Sequence, residues 1–341
     1  MFHQEDAPHD HRPHVPHHHH TAHHHIHGTV DPSIVATHRG MRAVKVSFLA
    51  LCATALAQVV IVWLSSSVAL LADTIHNVAD ACTALPLWVA FLLARRQPSP
   101  RFTYGYGRVE DLAGMAIVLT IVVSALVAGY ESIHRLLHPQ PVTYLGAVMA
   151  ASVIGFLGND AVAVWRIKVG REIGSAALVA DGQHARVDGL ASLAVLIGAL
   201  GVLMGYPLAD AVVGLLITVV IFGIIWQSST TVLTRLLDGV DPALIEEITH
   251  AAHHAHGVQE VTEVRARWLG HRLHAELNIA VDSTLVVQEG HDIAKEVRHR
   301  LLHHLRYLAN ATIHVDPVQA SGEAYHHIGE HMHDAYPPHA H

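Results

Sequence analysis

Residues 176–203 read AALVADGQHARVDGLASLAVLIGALGVL. An apolar stretch of about 20 residues or more is long enough to cross a bilayer as a helix, yet this one carries Asp181, His184 and Asp188. At about 100° per residue, offsets of 0, 3 and 7 fall within roughly 60° of one helix face. The stretch therefore presents a single polar stripe. A carboxylate near the bilayer centre is disfavoured by at least about 2.5 to 3.5 kcal/mol and usually faces a bundle interior or a water path.

The same arrangement occurs earlier. Ala72-Asp73-Thr74-Ile75-His76-Asn77-Val78-Ala79-Asp80 and Ala180-Asp181-Gly182-Gln183-His184-Ala185-Arg186-Val187-Asp188 both read A-D-x-x-H-x-x-x-D. Bringing His76 and Asp80 against His184 and Asp188 would supply two imidazoles and two carboxylates, a suitable tetrahedral set for Zn²⁺. The bland alternative is interhelical hydrogen bonds or salt bridges, with Arg186 neutralising one carboxylate. Asp73 and Asp181, one turn away, are weaker candidates that could support the ligands, relay protons or face water near the interface.

Outward from these motifs lie six apolar stretches, near 44–64, 68–93, 111–134, 143–165, 176–203 and 208–233. Ser65-Ser66-Ser67 is so short a turn that the first two stretches read as a helical hairpin. Apolar residues make up 51% of the 341 and charged residues 15%, which points to a membrane protein. A net charge of −8 disfavours a nucleic-acid binder that works by phosphate neutralisation. Lys and Arg gather before the first stretch (Arg39, Arg42, Lys45), between the second and third (Arg95, Arg96, Arg101, Arg108) and between the fourth and fifth (Arg166, Lys168, Arg171), whereas Arg135 stands alone on the other side. Such asymmetry places both termini in the cytoplasm.

Asp241-Pro242 then opens a soluble region as a helix cap and first helical residue. A helix over 242–255, strands over 258–268 and 272–281, a helix over 286–306 and a strand over 311–316 form an αββαβ order, fitting a small α+β sheet with helices on one face. The expected fold is thus a membrane all-α six-helix transmembrane bundle followed by an α+β domain. Its divisions are a disordered His-rich tail over 1–40, the membrane domain over 41–236, the α+β domain over 237–318 and a disordered His-bearing tail over 319–341. Of 34 histidines, twelve fall in 1–27, and only His76, His134, His138 and His184 lie between His38 and His250. The terminal histidines read as low-affinity metal collectors. Cys52 and Cys82 match neither a disulfide scaffold nor a Cys-rich zinc module, and the absence of H-E-x-x-H leaves no zinc-protease motif.

At the duplicated motif the sequence resembles the cation diffusion facilitator family, proton-coupled divalent-metal exporters that include zinc transporters. The resemblance spans about 40–318 and includes the loop Tyr104-Gly105-Tyr106-Gly107-Arg108-Val109-Glu110. It implies a metallochaperone-like cytoplasmic domain, a homodimer in a bacterial cytoplasmic membrane, no enzymatic activity and a transport site of His76, Asp80, His184 and Asp188. That His₂Asp₂ set is the version associated with Zn²⁺ as cargo and protons as counter-ions; Co²⁺, Ni²⁺, Fe²⁺ or Cd²⁺ export is the alternative, and a membrane-anchored metal sensor or buffer without transport is another class. The resemblance further implies regulatory zinc at His291, His314 and Asp316, where Thr262 and Asn278 replace two family histidines and His271 and His274 could substitute. It implies a charge interlock between subunits at Arg108 and Asp238. With Phe102 and Tyr106 where some members have histidines, a second metal site in that loop is expected to be absent. His250, His253 and His254 share one helix face and His299 and His303 are an i,i+4 pair; a solvated face is their simpler reading.

Overall fold

Backbone polar groups in a bilayer have no water to bond, so an apolar chain that crosses it must close its hydrogen bonds within itself as a helix. The structure, a computed structural model, describes residues 32–65, 84–138, 144–206 and 208–320. The apolar stretches form α1 (Pro32–Ser65), α2 (Ala84–Ala94), α3 (Arg108–Leu137), α4 (Leu145–Ile173), α5 (Ala176–Leu203) and α6 (Ala209–Leu236). Five of these, all but α2, are long and apolar enough to span a membrane. The second stretch, expected over 68–93, is described only from Ala84, so the count of six lies outside the described residues. Leu119, Val123, Leu126 and Val127 of α3 and Leu216, Val219, Val220 and Trp226 of α6 are exposed, an apolar exterior suited to lipid.

Two helices run past their apolar cores. α1 starts at Pro32 rather than near 44, inside the segment expected to be disordered, because its first turns have tertiary partners: Thr37, Met41, Ala43 and Val44 are buried. α4 continues beyond 165 to Ile173, burying Arg166, Ile167 and Val169. A two-residue turn then reverses the chain. Ser175 caps α5 by accepting a hydrogen bond from the Leu178 N–H at 3.1 Å. The α4–α5 hairpin is tight enough that a Cβ on Gly182 would stand 2.7 Å from the Ile167 side chain and 2.9 Å from its backbone nitrogen.

The C-terminal domain follows the expected order: α7 (Pro242–His253), β1 (Glu260–Leu269), β2 (Arg272–Val281), α8 (Val287–His304) and β3 (Leu308–Pro317). Asp241 caps α7 through the Ala243 N–H at 3.0 Å, with Pro242 in the first helical position. β1 pairs antiparallel with β2, and β2 pairs parallel with β3 after the α8 crossover. Leu273, Leu277 and Ile279 from the sheet and Ile248, Val297 and Leu301 from the helices form its core.

The β1–β2 turn, Gly270-His271, is inserted among the ends of the membrane helices. Glu110, in the first turn of α3, accepts from the His271 ring at 2.7 Å, from the His271 backbone N–H at 3.2 Å and from the Ser175 hydroxyl at 2.5 Å. The other His271 ring nitrogen lies 2.9 Å from the Thr37 hydroxyl of α1. Asp111 accepts from the Gly270 N–H at 3.0 Å. Gly270 has φ +64, and a Cβ there would meet Glu110 Oε2 at 2.6 Å and the Gly107 carbonyl at 2.8 Å. Only glycine fits both the left-handed backbone and that approach.

Replacing Glu110 by Ala leaves several buried donors without an acceptor, each costing about 1–3 kcal/mol. The thermal midpoint of the purified protein in detergent should fall for Glu110→Ala and fall less for Glu110→Gln, which keeps an acceptor oxygen.

Candidate functional site

α5 holds its polar stripe inside the bundle. His184 is 1% exposed, Asp188 is partly buried, and His184 Nε2 lies 3.9 Å from Asp188 Oδ2. An imidazole and a carboxylate one helical turn apart present a nitrogen and an oxygen donor on the same face, a half-set for a borderline divalent cation. His76, Asp80 and Asp73 lie outside the described residues. Among the described residues no three His, Cys, Asp or Glu side chains converge on a common metal position, so α5 by itself offers a candidate pair and no closed site.

Asp181 takes part in an interhelical salt bridge, the bland alternative for the motif, but with a partner other than Arg186. It is fully buried and its Oδ2 lies 3.0 Å from Arg166 Nη1 of α4, itself 1% exposed. Arg186, expected to neutralise a carboxylate of the motif, instead lies 3.9 Å from Asp160. Spacing along one helix points to near neighbours, whereas the charge partner of Asp181 comes from the far arm of the hairpin. This pair fixes the rotation of α5 one turn before His184.

In the C-terminal domain the structure brings together part of the expected set. His314 Nε2 lies 2.9 Å from Asp316 Oδ1 on β3, while His291 in the first turns of α8 joins no group of three ligands among the described residues. Residues Glu263, Asn278 and His314 stand in one row across β1, β2 and β3, with the Asn278 amide donating to Glu263 at 3.3 Å. Glu263 is thus an acidic neighbour to this face that no motif announced; only the strand register reveals it. His271 cannot substitute there, because both ring nitrogens are engaged with Glu110 and Thr37. His250 and His254 rings stand 4.2 Å apart and those of His299 and His303 4.3 Å apart, all exposed. Arg108 and Asp238, expected to interlock two subunits, form an ion pair within one chain, and Arg108 also donates to the Arg235 carbonyl at 3.1 Å.

His274 lies on β2 with its ring centroid 6.3 Å from that of Tyr104. Burial pushes its imidazole below the ordinary histidine range, and the Arg267 and Arg272 charges push it the same way.

A multi-pass bundle with an intramembrane His–Asp pair, joined to a small α/β domain, defines a membrane protein equipped to handle metal cations. Comparison with known proteins agrees. Residues 44–237 match the family described as "Cation efflux transmembrane domain" and residues 240–318 that described as "Cation efflux protein, cytoplasmic domain". The chain belongs to the cation diffusion facilitator family, and is an integral membrane transporter of metal cations. It is 52% identical over 291 residues to the "Probable cation efflux system protein" Rv2025c of Mycobacterium tuberculosis, covering 85% of this chain and 88% of that protein. It is 26% identical to the manganese efflux system protein MneP of Bacillus subtilis, covering 83% and 99% respectively. The magnetosome protein MamB of Magnetospira sp. is 28% identical, with 75% and 88% covered.

Breaking the buried Arg166–Asp181 pair strands a charge, so Asp181→Ala should destabilise by about 3–5 kcal/mol, whereas Arg166→Met with Asp181→Leu recovers most of the loss. Thermal unfolding of the two variants in detergent checks the order. For His274, the unfolded chain takes up a proton below about pH 6.5 while the folded chain does so only at lower pH. The stability present above pH 6.5 is therefore lost as pH falls through that window. His274→Gln should show a smaller drop in thermal midpoint between pH 8 and pH 5 than the wild type.

Proposed function

We propose that the protein exports Zn²⁺ from the cytoplasm in exchange for protons by alternating access. The observation that carries the reading is the burial of His184, with Asp188 one turn on, in a helix of 28 residues apolar enough to span the bilayer. His76 and Asp80 in the second apolar stretch repeat the pattern and complete a His₂Asp₂ set when the two stretches face one another. That pairing requires the six-helix arrangement, with the second stretch crossing the membrane beside α5. Zinc lacks a ligand-field preference, so it tolerates a site that changes shape as it opens to either side. Metal binding needs neutral imidazole and ionised carboxylate, and protonation of His76, His184, Asp80 and Asp188 expels the ion. An outward proton excess then favours release on the far side.

The positive-inside asymmetry supports cytoplasmic termini. The cytoplasmic domain of the family supports a homodimer, with His314 and Asp316 as the centre of a regulatory metal site that His291 would join only by side-chain movement. A second cargo reading has its own support. The Bacillus subtilis relative is named for manganese efflux, and imidazole–carboxylate sites bind several divalent ions whose order of affinity does not settle selectivity.

The test is a flux assay in proteoliposomes holding the full-length protein, across Zn²⁺, Cd²⁺, Co²⁺, Ni²⁺, Fe²⁺ and Mn²⁺, with and without a pH gradient. Zn²⁺ flux with opposite proton movement is expected, and His184→Ala with Asp188→Ala should reduce it to the level of empty liposomes. Unchanged flux in that double variant overturns the site, and a larger flux for another ion overturns the cargo.

A further inference from the structure

A cavity of about 340 Å³ lies where α5 and α6 meet the cytoplasmic domain, and it does not include the His184–Asp188 pair. Four features of its lining point to one kind of occupant. At the mouth stand Arg171, exposed at the end of α4, and Arg235 of α6, whose guanidinium lies 4.1 Å from the Trp268 ring and donates to the Gly174 carbonyl at 2.5 Å. Ser175 and Ala176 bring the N-terminus of α5, the positive end of its dipole, to the same mouth. Among the described residues no carboxylate lines the cavity; Glu110 and Asp111 face Arg235 from α3 but lie outside the lining. Deeper in, on the α5 face that also carries Ala176, Val179 and Ala180, Gln183 is 7% exposed and its side-chain oxygen has no hydrogen-bond partner among the described residues.

A buried amide oxygen left without a partner costs free energy unless a donor, such as a water carried in with a ligand, meets it. Arg171 and the helix N-terminus, with no carboxylate among the described lining residues, favour an anion over a metal ion, while Arg235, whose charge is faced by Glu110 and Asp111, adds hydrogen-bond donors rather than a second unbalanced charge. Trp268 and Tyr307 of the cytoplasmic domain close the cavity's other side, with Trp268 buried in that domain's core. From the mouth the cavity runs between two membrane helices, past Gln227 and Thr231, to Gln183. A charged group at the boundary with polar atoms below it is the layout of a glycerophospholipid, whose ester carbonyls lie deeper than its phosphate.

We propose that this cavity seats an anionic phospholipid from the leaflet on the cytoplasmic domain's side, with its phosphate on Arg171 and Arg235, its ester carbonyls accepting from the amide N–H groups of Gln183 and Gln227, and a water seated with it donating to the Gln183 oxygen. The seat touches α4, α5, α6 and the cytoplasmic domain together, so an occupied seat ties the ends of three membrane helices to Trp268 and Tyr307. The inference rests on the cavity alone and is independent of the identity of the cargo.

The test uses the full-length protein in mild detergent and reads its thermal midpoint against added lipid. Phosphatidylglycerol and phosphatidylcholine of the same acyl chains are compared with inorganic phosphate. Phosphatidylglycerol is expected to act at concentrations about fivefold lower than phosphatidylcholine, the scale of one arginine beside an anionic lipid. Arg171→Gln should abolish that preference and Arg171→Lys should restore it, which separates loss of charge from loss of fold. Gln183→Leu should weaken both lipids while leaving the preference. Equal action of the two lipids on the wild type, or a preference retained in Arg171→Gln, overturns the proposal. A full shift from inorganic phosphate alone overturns the lipid as occupant.

Discussion

A carboxylate inside a bilayer must be paired, hydrated or bound to a cation, because an isolated charge there is expensive. α5 carries two within eight residues, and they meet that demand differently. Asp181 is neutralised by Arg166 across the α4–α5 hairpin. That single ion pair explains why α4 extends past its apolar core, why the hairpin closes so tightly at Gly182, and why His184 has a fixed bearing. Asp188 lies 3.9 Å from His184 instead, which puts an imidazole and a carboxylate on one stripe of the helix.

The second device that organises the molecule is Glu110. One carboxylate collects donors from the β1–β2 turn and from the cap of α5, while the His271 ring reaches on to α1. The cytoplasmic domain is therefore seated on the helix ends through buried polar contacts; Ser175, which caps α5, belongs to the same network. A displacement of the turn acts on α3 and α5 together, and α5 is the helix that carries His184 and Asp188.

Much of this was legible in residue order. Apolar runs of membrane-spanning length, the repeated A-D-x-x-H-x-x-x-D pattern and the αββαβ order of the C-terminal domain all rest on local periodicity, and helices and strands form wherever such periodicity meets a matching environment. The Asp241-Pro242 helix start is of the same kind. Less legible were the ends of α1 and α4, whose residues are ordered by partners from other helices: Thr37 by His271 and Arg166 by Asp181.

The sequence by itself determined which segments enter the membrane and which residue types they carry there, because bilayer transfer and helix geometry depend on nearby residues alone. Tertiary structure decided the partners. It assigned Asp181 to Arg166 and not Arg186, withdrew His271 from the metal-binding candidates by burying it against Glu110, set Glu263 in a row with His314, and opened a cavity beside Gln183. Each of those outcomes depends on two chain segments far apart in order meeting at a distance of a few ångströms, and no local period encodes such a meeting.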